Sequence, residues 1–342
     1  VSFDWVDVLC LEAIEPLIIR DKYSKGAHYS SPPYVPSSTL SGAIASDFFR
    51  RRGVNGRIED LNMWISHAFP SDRPFKLCGS PPLPLTTLSR KEDDTYLSLA
   101  LLFAKAMKEG PSLLDKMKGL NKKVGTIFIN QEGRFEPPSK EIITQVALSY
   151  ERRTHASIED RGEKYGLLFT QEVIRPGSKF HALAFLDSSL HEELKKEIEV
   201  RIGAFTKKGF GLTRVKVDES MSFDEYRKGR LKGLKSEHEF LTVDIMTFTS
   251  REKLLELGNP IYEKIRISDF KTWFNGKFYI YKKMMGPGSV LVYPRGNLDP
   301  ERIIQIELTP PQSALRRFHG LDMVFFDNPF HFDSLLSLGG EM

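Results

Sequence analysis

The order in which strand-like and helix-like patterns follow one another limits the fold of this chain more than any single motif does. Trp5 to Leu11 alternates Val6, Val8 and Cys10 against Trp5, Asp7, Leu9 and Leu11, the two-residue period of a strand. A loop rich in Ser, Pro, Tyr and Gly then leads to an expected helix. Ser38 is its N-cap, Leu40, Ile44 and Phe48 share one face, and Gly53 stops it after three arginines. Residues 54–140 read as an insertion of mixed character, with a proline-dense piece at 78–91 and a helical piece from Tyr96 to Met107. Two strands are expected between Thr144 and Phe185, turning at Pro176-Gly177. Ser189 and Glu192 then form a capping-box pair that opens a helix, with Leu190, Leu194 and Ile198 on one face. A glycine-rich loop and a strand close the series.

This order is βαββαβ, the ferredoxin-like arrangement that RNA-recognition (RRM-like) domains share. Residues 218–238 are charged and poor in apolar side chains, which marks a boundary, and after them the series starts again. Phe240 to Phe248 reads as a strand and Arg251 to Leu257 as a short helix ending at Gly258. A hairpin turns at Asn275-Gly276 into KFYIYKK, and GPGSVLVYP gives another strand. Asp299-Pro300 is a helix start, although RIIQIEL behind it reads equally well as extended, and Leu321 to Phe326 is the last strand. The expected class is α+β with two ferredoxin-like domains. The first, 1–220, carries the insertion and a glycine-rich loop at 203–211; the second, 239–342, is a degenerate copy.

Within the first domain the stretch RIGAFTKKGFGLTRVKV, 201–217, carries the clearest chemistry. Gly203, Gly209 and Gly211 bracket Lys207 and Lys208, so the loop can take left-handed backbone and let a ligand approach closely, while the lysines suit a phosphate. In the strand behind it, Thr213, Val215 and Val217 share the face fit for a core, and Leu212, Arg214 and Lys216 the face fit for an anion. The same residues are also compatible with a plain glycine-rich turn with solubilising lysines. In KFYIYKK the same period separates Phe278 and Ile280 from Lys277, Tyr279, Tyr281 and Lys283, a face able to stack bases and hold phosphates or simply an exposed sheet face.

Composition narrows the classes further. With 342 residues, 40% hydrophobic and 11% aromatic, the chain can bury two cores of ordinary size. No apolar run approaches the roughly 20 residues of a membrane span, and the first residues carry acids where a signal peptide carries bases, so a cytoplasmic protein is expected. The net charge of +4 is modest, but Lys and Arg cluster at 50–52, 207–208, 226–235, 282–283 and 316–317. The two cysteines, Cys10 and Cys78, propose neither a disulfide framework nor a zinc finger and read as buried thiols. The eight histidines form no HxxxH or HxH pair beside acids, and no phosphate loop, nucleophile elbow or dinucleotide fingerprint is present. No metal and no cofactor are expected. His28 and Asp21, in the loop after the first strand, are weighed as a ribonuclease acid–base and a metal or water orienter, against the plainer reading of polar loop residues.

The chain resembles the RAMP superfamily of CRISPR-associated proteins. The likeness rests on IEPLIIRD and YVPSSTLSGAIA (14–21 and 34–45), the glycine loop from Gly203 to Gly211, PPLPLTTLSRK (81–91), RRTHASIEDRGEKYGLLFTQEVIRPGSKF (152–180) and MGPGSV (285–290). Ser37 stands where relatives often carry glycine. The resemblance is to the large two-domain subunits of type III effector complexes that cap the 5′ handle of the guide RNA. It implies a largely non-catalytic RNA-binding subunit, with guide RNA and other effector subunits as partners and target RNA nearby. The expected RNA-binding residues are Gly203, Lys207, Lys208, Gly209, Gly211, Arg214 and Lys216, with Ser37, Ser38 and Thr39 at a helix N-terminus. The superfamily also contains endoribonucleases, for which Asp21 or His28 would serve, and a structural subunit without RNA contact is the third possibility.

Overall fold

The computed structural model of the chain describes residues 2–19, 22–24, 28–57, 60–70, 86–90, 96–117, 120–123, 140–146, 148–149, 154–155, 157–160, 163–166, 168–234, 238–274, 276–296 and 298–338. It is a mixed fold of α-helices and largely antiparallel sheets.

The first sheet is built around β1, Trp5–Ala13. After it come helix α1, Ser37–Arg52, and β2, Met63–Ile65. Next are β3, Lys179–Leu186, and helix α2, Ser188–Leu194. The unit ends with β4, Ile198–Arg201, and β5, Leu212–Ser222. The strands lie in the order β4-β5-β1-β3-β2 with every neighbour antiparallel. The crossover β1-α1-β2 therefore skips one strand, β3, and the chain leaving β3 through α2 and the β4–β5 hairpin returns to the other edge of β1. The odd residues Leu9, Leu11 and Ala13 of β1 enter one core with Leu40 and Ile44 of α1 and Leu190 and Leu194 of α2. The even residues Val6 and Val8 enter another, with Leu183 and Phe185 of β3. Alternation thus gives the sheet two apolar faces.

The second core is shared with the C-terminal half. Here α3, Phe223–Gly233, is followed by β6, Phe240–Ile245, and β7, Tyr262–Lys264. A hairpin of β8, Ile267–Phe274, and β9, Lys277–Met285, comes before β10, Val290–Pro294. Helix α4, Pro300–Leu308, and β11, Val324–Phe326, complete the unit. The sheet order is β7-β10-β6-β11, again antiparallel, so β6 and its third strand are central as in the first unit. Leu241 and Val243 of β6, Ile303 and Ile304 of α4 and Phe326 of β11 lie in one core with Val6, Val8, Leu183 and Phe185. On the other face of the second sheet, Phe240, Val290 and Val292 pack against Leu101 and Ala104 of a helix at Ala100–Glu109.

Several elements differ from the sequence reading. α1 begins at Ser37 after Pro36, one residue before the expected cap, and ends at Gly53 in the left-handed region as expected. The second strand of the first sheet is Met63–Ile65, inside the stretch read as insertion. Leu168–Ile174 does not pair with β3 across Pro176-Gly177. Both edges of β3 are taken by β1 and by β2 with Phe69–Pro70, so Leu168–Ile174 pairs with Lys140–Val146 instead. The helical piece expected from Tyr96 is a strand at Tyr96–Ser98 followed by the helix at Ala100–Glu109. Asp187 caps α2 by accepting from the Leu190 amide, so the Ser189/Glu192 box does not form the start. Ile198 lies in β4, where Ile198 and Val200 point into the core and Glu199 and Arg201 outward. The charged segment 218–238 contains the end of β5 and α3, whose capping box is Ser222/Glu225. RIIQIEL is helical, with Asp299 accepting from the Glu301 amide.

Candidate nucleic-acid interface

β4 and β5 form a hairpin, and the glycine loop is its turn. Gly203, Gly209 and Gly211 all have left-handed backbone, φ 90°, 81° and 90°, and Phe205 joins them at 58°. The loop is fastened to the chain leaving β1: Ala204 N donates to Ile18 O at 2.8 Å and Gly211 N to Pro16 O at 3.0 Å. Ile14 N and Glu15 N both donate to Leu212 O, at 2.9 and 3.1 Å. A Cβ on Gly203 would stand 2.3 Å from Ile18 O, and one on Gly211 2.4 Å from Ile202 O, while the Cβ position of Gly209 faces open space. Two of the three glycines are thus needed for approach of the chain's own backbone. Gly209 is the one beside which a ligand's backbone has room.

Thr206–Lys208 forms a single 3-10 turn at the loop's tip, and Lys207 is exposed there without an ion pair among the described residues. The strand behind divides as its alternation requires, with Thr213 and Val215 fully buried and the Arg214 and Lys216 side chains about half exposed. Both cations meet acids. Arg214 lies 3.1 Å from Glu197 and 3.6 Å from Glu12, and Lys216 Nζ lies 2.9 Å from Asp218 Oδ1. Arg201 is held likewise by Glu15 at 2.8 Å and by Phe210 O at 3.1 Å. A phosphate reaching this track would compete with surface ion pairs worth up to about 1 kcal/mol each, a small barrier.

The start of α1 is more occupied than its composition suggests. Ser37 is buried; its amide donates to His67 Nδ1 at 2.9 Å and its hydroxyl to His319 O at 2.5 Å. Burial pushes the His67 imidazole down to about 3, which keeps Nδ1 an acceptor. Ser38 and Thr39 are only partly buried, and the Thr39 amide donates to Pro36 O. Of the expected triplet, Ser37 serves the chain's own packing. Asp21 lies outside the described residues, as does Cys78. His28 opens the short strand His28–Ser30, which pairs in parallel with Leu168–Ile174.

The aromatic hairpin pairs Phe274 with Lys277 and has the expected period but the opposite facing; Asn275, of the expected turn, lies outside the described residues. Tyr281 Oη is 3.1 Å from His319 Nδ1, Tyr279 packs edge-on to the same ring, and the Arg316 guanidinium lies over Tyr281. Phe278 and Ile280 face solvent, nearly half exposed. The tyrosines were expected outside because strand alternation gives two faces without saying which is covered; His319 and Phe318 cover this one.

A cluster that no sequence spacing revealed lies on the first sheet beside the basic track. Cys10 of β1, His181 of β3 and Asp218 of β5 bring one donor atom each within 4.8 Å of one another. Burial raises the Asp218 carboxyl, but hydrogen bonds from Lys216 and His181 outweigh it and hold the group below the usual range. Burial, then Asp218, pushes the Cys10 thiol up to about 11.

No protein-family model matches the chain, and no curated protein matches it. Among solved structures it is similar to a chain of the Type III-B Cmr-beta complex bound to cognate target RNA and AMPPnP, at 12% identity and a TM-score of 0.45 over 92% of each chain. A chain of that complex bound to cognate target RNA alone gives 10% identity and 0.44 over 92% of this chain and 94% of that one. The crystal structure of Cmr4 gives 10% identity and 0.26 over 63% of this chain and 99% of that one.

Proposed function

We propose that this chain is an RNA-binding RAMP subunit of a type III CRISPR ribonucleoprotein and that it holds the 5′ handle of the guide RNA. The observation that carries the reading is the glycine loop. Its own-chain hydrogen bonds fix it against the exit of β1, so that exposed Lys207 and the open side of Gly209 face solvent at the end of the Arg214–Lys216 strand. A preorganised loop of this kind binds a phosphate without first being ordered. Both units read as ferredoxin-like βαββαβ folds, the second degenerate because a 3-10 run at Arg251–Leu257 stands where the first helix belongs. The motifs at 14–21, 34–45, 203–211 and 285–290 support the same family. Under this reading the chain works among other effector subunits, with target RNA close by, as chains of the Type III-B Cmr-beta complex do.

Ultraviolet crosslinking of the natively purified assembly, with peptide mapping and sequencing of attached RNA, tests this. Repeat-derived 5′ tags joined to peptides within 201–217 are expected. Recovery of no RNA, or of RNA unrelated to CRISPR repeats, overturns the family and the role together. Repeat tags joined only to other peptides overturn the loop as the grip.

A further inference from the structure

We propose that Cys10, His181 and Asp218 form a binding site for one Zn²⁺ ion on the first sheet. The inference is independent of the RNA-binding reading. Three strands create the site. Cys10 and His181 are directly paired across β1 and β3. On the other side Cys10 is paired with Lys216, and the β1–β5 register shifts between Val8 and Leu9, so that Asp218 has no partner in the ladder. A bulge of this kind re-aims the extra side chain, and here it carries the Asp218 carboxylate to the imidazole, Oδ2 to Nε2 3.1 Å.

The donor set selects the ion. A thiolate, an imidazole and a carboxylate suit borderline-soft zinc, whereas Mg²⁺ and Ca²⁺ take oxygen ligands. In a tetrahedral zinc site with bonds of about 2.0–2.3 Å, donors stand roughly 3.3–3.7 Å apart. The present separations, none above 4.8 Å, meet that with shifts on the order of 1 Å, within side-chain reach. Lys216 Nζ binds Oδ1 of Asp218, which fixes the carboxylate and leaves Oδ2 for the metal. Asp218 is 13% exposed where Cys10 and His181 are almost wholly buried, so it forms the rim through which an ion enters and a water completes the fourth position.

A cysteine-nucleophile reading does not fit the same atoms. Asp218, not His181, is the hydrogen-bond partner of the thiol and of the imidazole alike, so no imidazole faces the thiol, and a carboxylate is too weak a base to hold its proton. What converts this thiol to a thiolate is a bound cation. On binding, the Cys10 proton leaves to solvent and the His181 ring proton resides on Nδ1, with Nε2 on the metal. The ion would then tie β1, β3 and β5 together beside the basic track.

The test uses tag-free full-length protein stripped with a chelator and titrated with Co²⁺, whose thiolate charge-transfer absorption in the near ultraviolet reports a Cys–metal bond. Wild type is expected to develop this band to saturation at one ion per chain and to lose it on addition of Zn²⁺. Cys78→Ser keeps the band, Cys10→Ser abolishes it, and His181→Gln and Asp218→Asn weaken Co²⁺ binding by about tenfold or more. Absence of the band in soluble wild-type protein overturns the proposal whether or not the variants fold. So does its loss in Cys78→Ser, which moves the ligand to the other cysteine, or its persistence in Cys10→Ser.

Discussion

Gly203 and Gly209 share a left-handed backbone but not a neighbourhood, and the difference is measurable. A side chain at Gly203 meets both the conformational penalty and the Ile18 carbonyl 2.3 Å from its Cβ; at Gly209 it meets only the penalty. Gly203→Ala is therefore expected to cost about 2–4 kcal/mol and Gly209→Ala about 1 kcal/mol, read from denaturant midpoints. Equal losses would show that the loop is not docked as described. His67 supplies a second residue-level expectation. Its imidazole is held near 3 and that of His319 near 4 by burial, against 6.5 for an unconstrained histidine. The unfolded chain then binds more protons than the folded one in this window, so stability present above pH 6.5 falls as pH drops toward 4. His67→Gln, whose amide oxygen can still accept from Ser37 N, should give a shallower fall of Tm between pH 6.5 and 4 than wild type. A Tm profile parallel to wild type would remove His67 as a cause.

At the scale of elements, α3 shows how a charged segment can be part of the core. Arg230 is 2% exposed and lies over the Phe325 ring. It donates to both carboxylate oxygens of Glu307 in α4, at 2.7 and 2.8 Å, and to Phe326 O, while Glu307 accepts from the Phe326 amide. Removing one partner leaves a charge buried, so Arg230→Ala should cost about 3–5 kcal/mol in chemical denaturation. Glu307→Gln should cost clearly less in that background than alone; equal costs would mean the two side chains are not coupled. This arrangement was illegible in the sequence because YRKGRLKGLK shows only its charge, and the partner lies 77 residues away. What was legible had a strong local signal: β1, the Gly53 stop, the pairing of β8 with β9 and the separation of Thr213 and Val215 from Arg214 and Lys216. Where two periods overlap, the choice failed. Ile198 continues Leu190 and Leu194 at a spacing of four but begins Ile198-Val200 at a spacing of two, and the strand won because Val215 and Thr213 were there to pair with it. Met63–Ile65, three buried residues with no alternation, gave no signal. Cys10, His181 and Asp218 gave none either, since only strand pairing and a bulge bring them together.

For the whole molecule, the governing fact is that the two units of similar strand order share a core. Val6, Val8, Leu183 and Phe185 on the first sheet pack with Leu241, Val243, Ile303 and Phe326 of the second unit, and Trp64 Nε1 reaches across to Leu321 O at 2.8 Å. Burying each such side chain contributes about 1.5–3 kcal/mol, so the four from the first sheet alone approach the roughly 5–15 kcal/mol by which a domain is stable. Neither unit is expected to keep its full fold without the other. The full chain is therefore expected to unfold in one calorimetric transition, with van't Hoff and calorimetric enthalpies equal, although its sequence reads as two domains. A fragment of residues 1–220 is expected to keep secondary structure but bind a hydrophobic dye and lack a cooperative melt, because the even face of β1 is left in water. Two resolved transitions in the full chain, or a cooperatively folded fragment, would show that each sheet closes its own core and that the shared cluster is only a docking seam. If one transition is found, a ligand bound at the glycine loop, as proposed for RNA, would stabilise both units together. Binding there would then raise the melting of β6, which lies in the shared core, as much as that of β5.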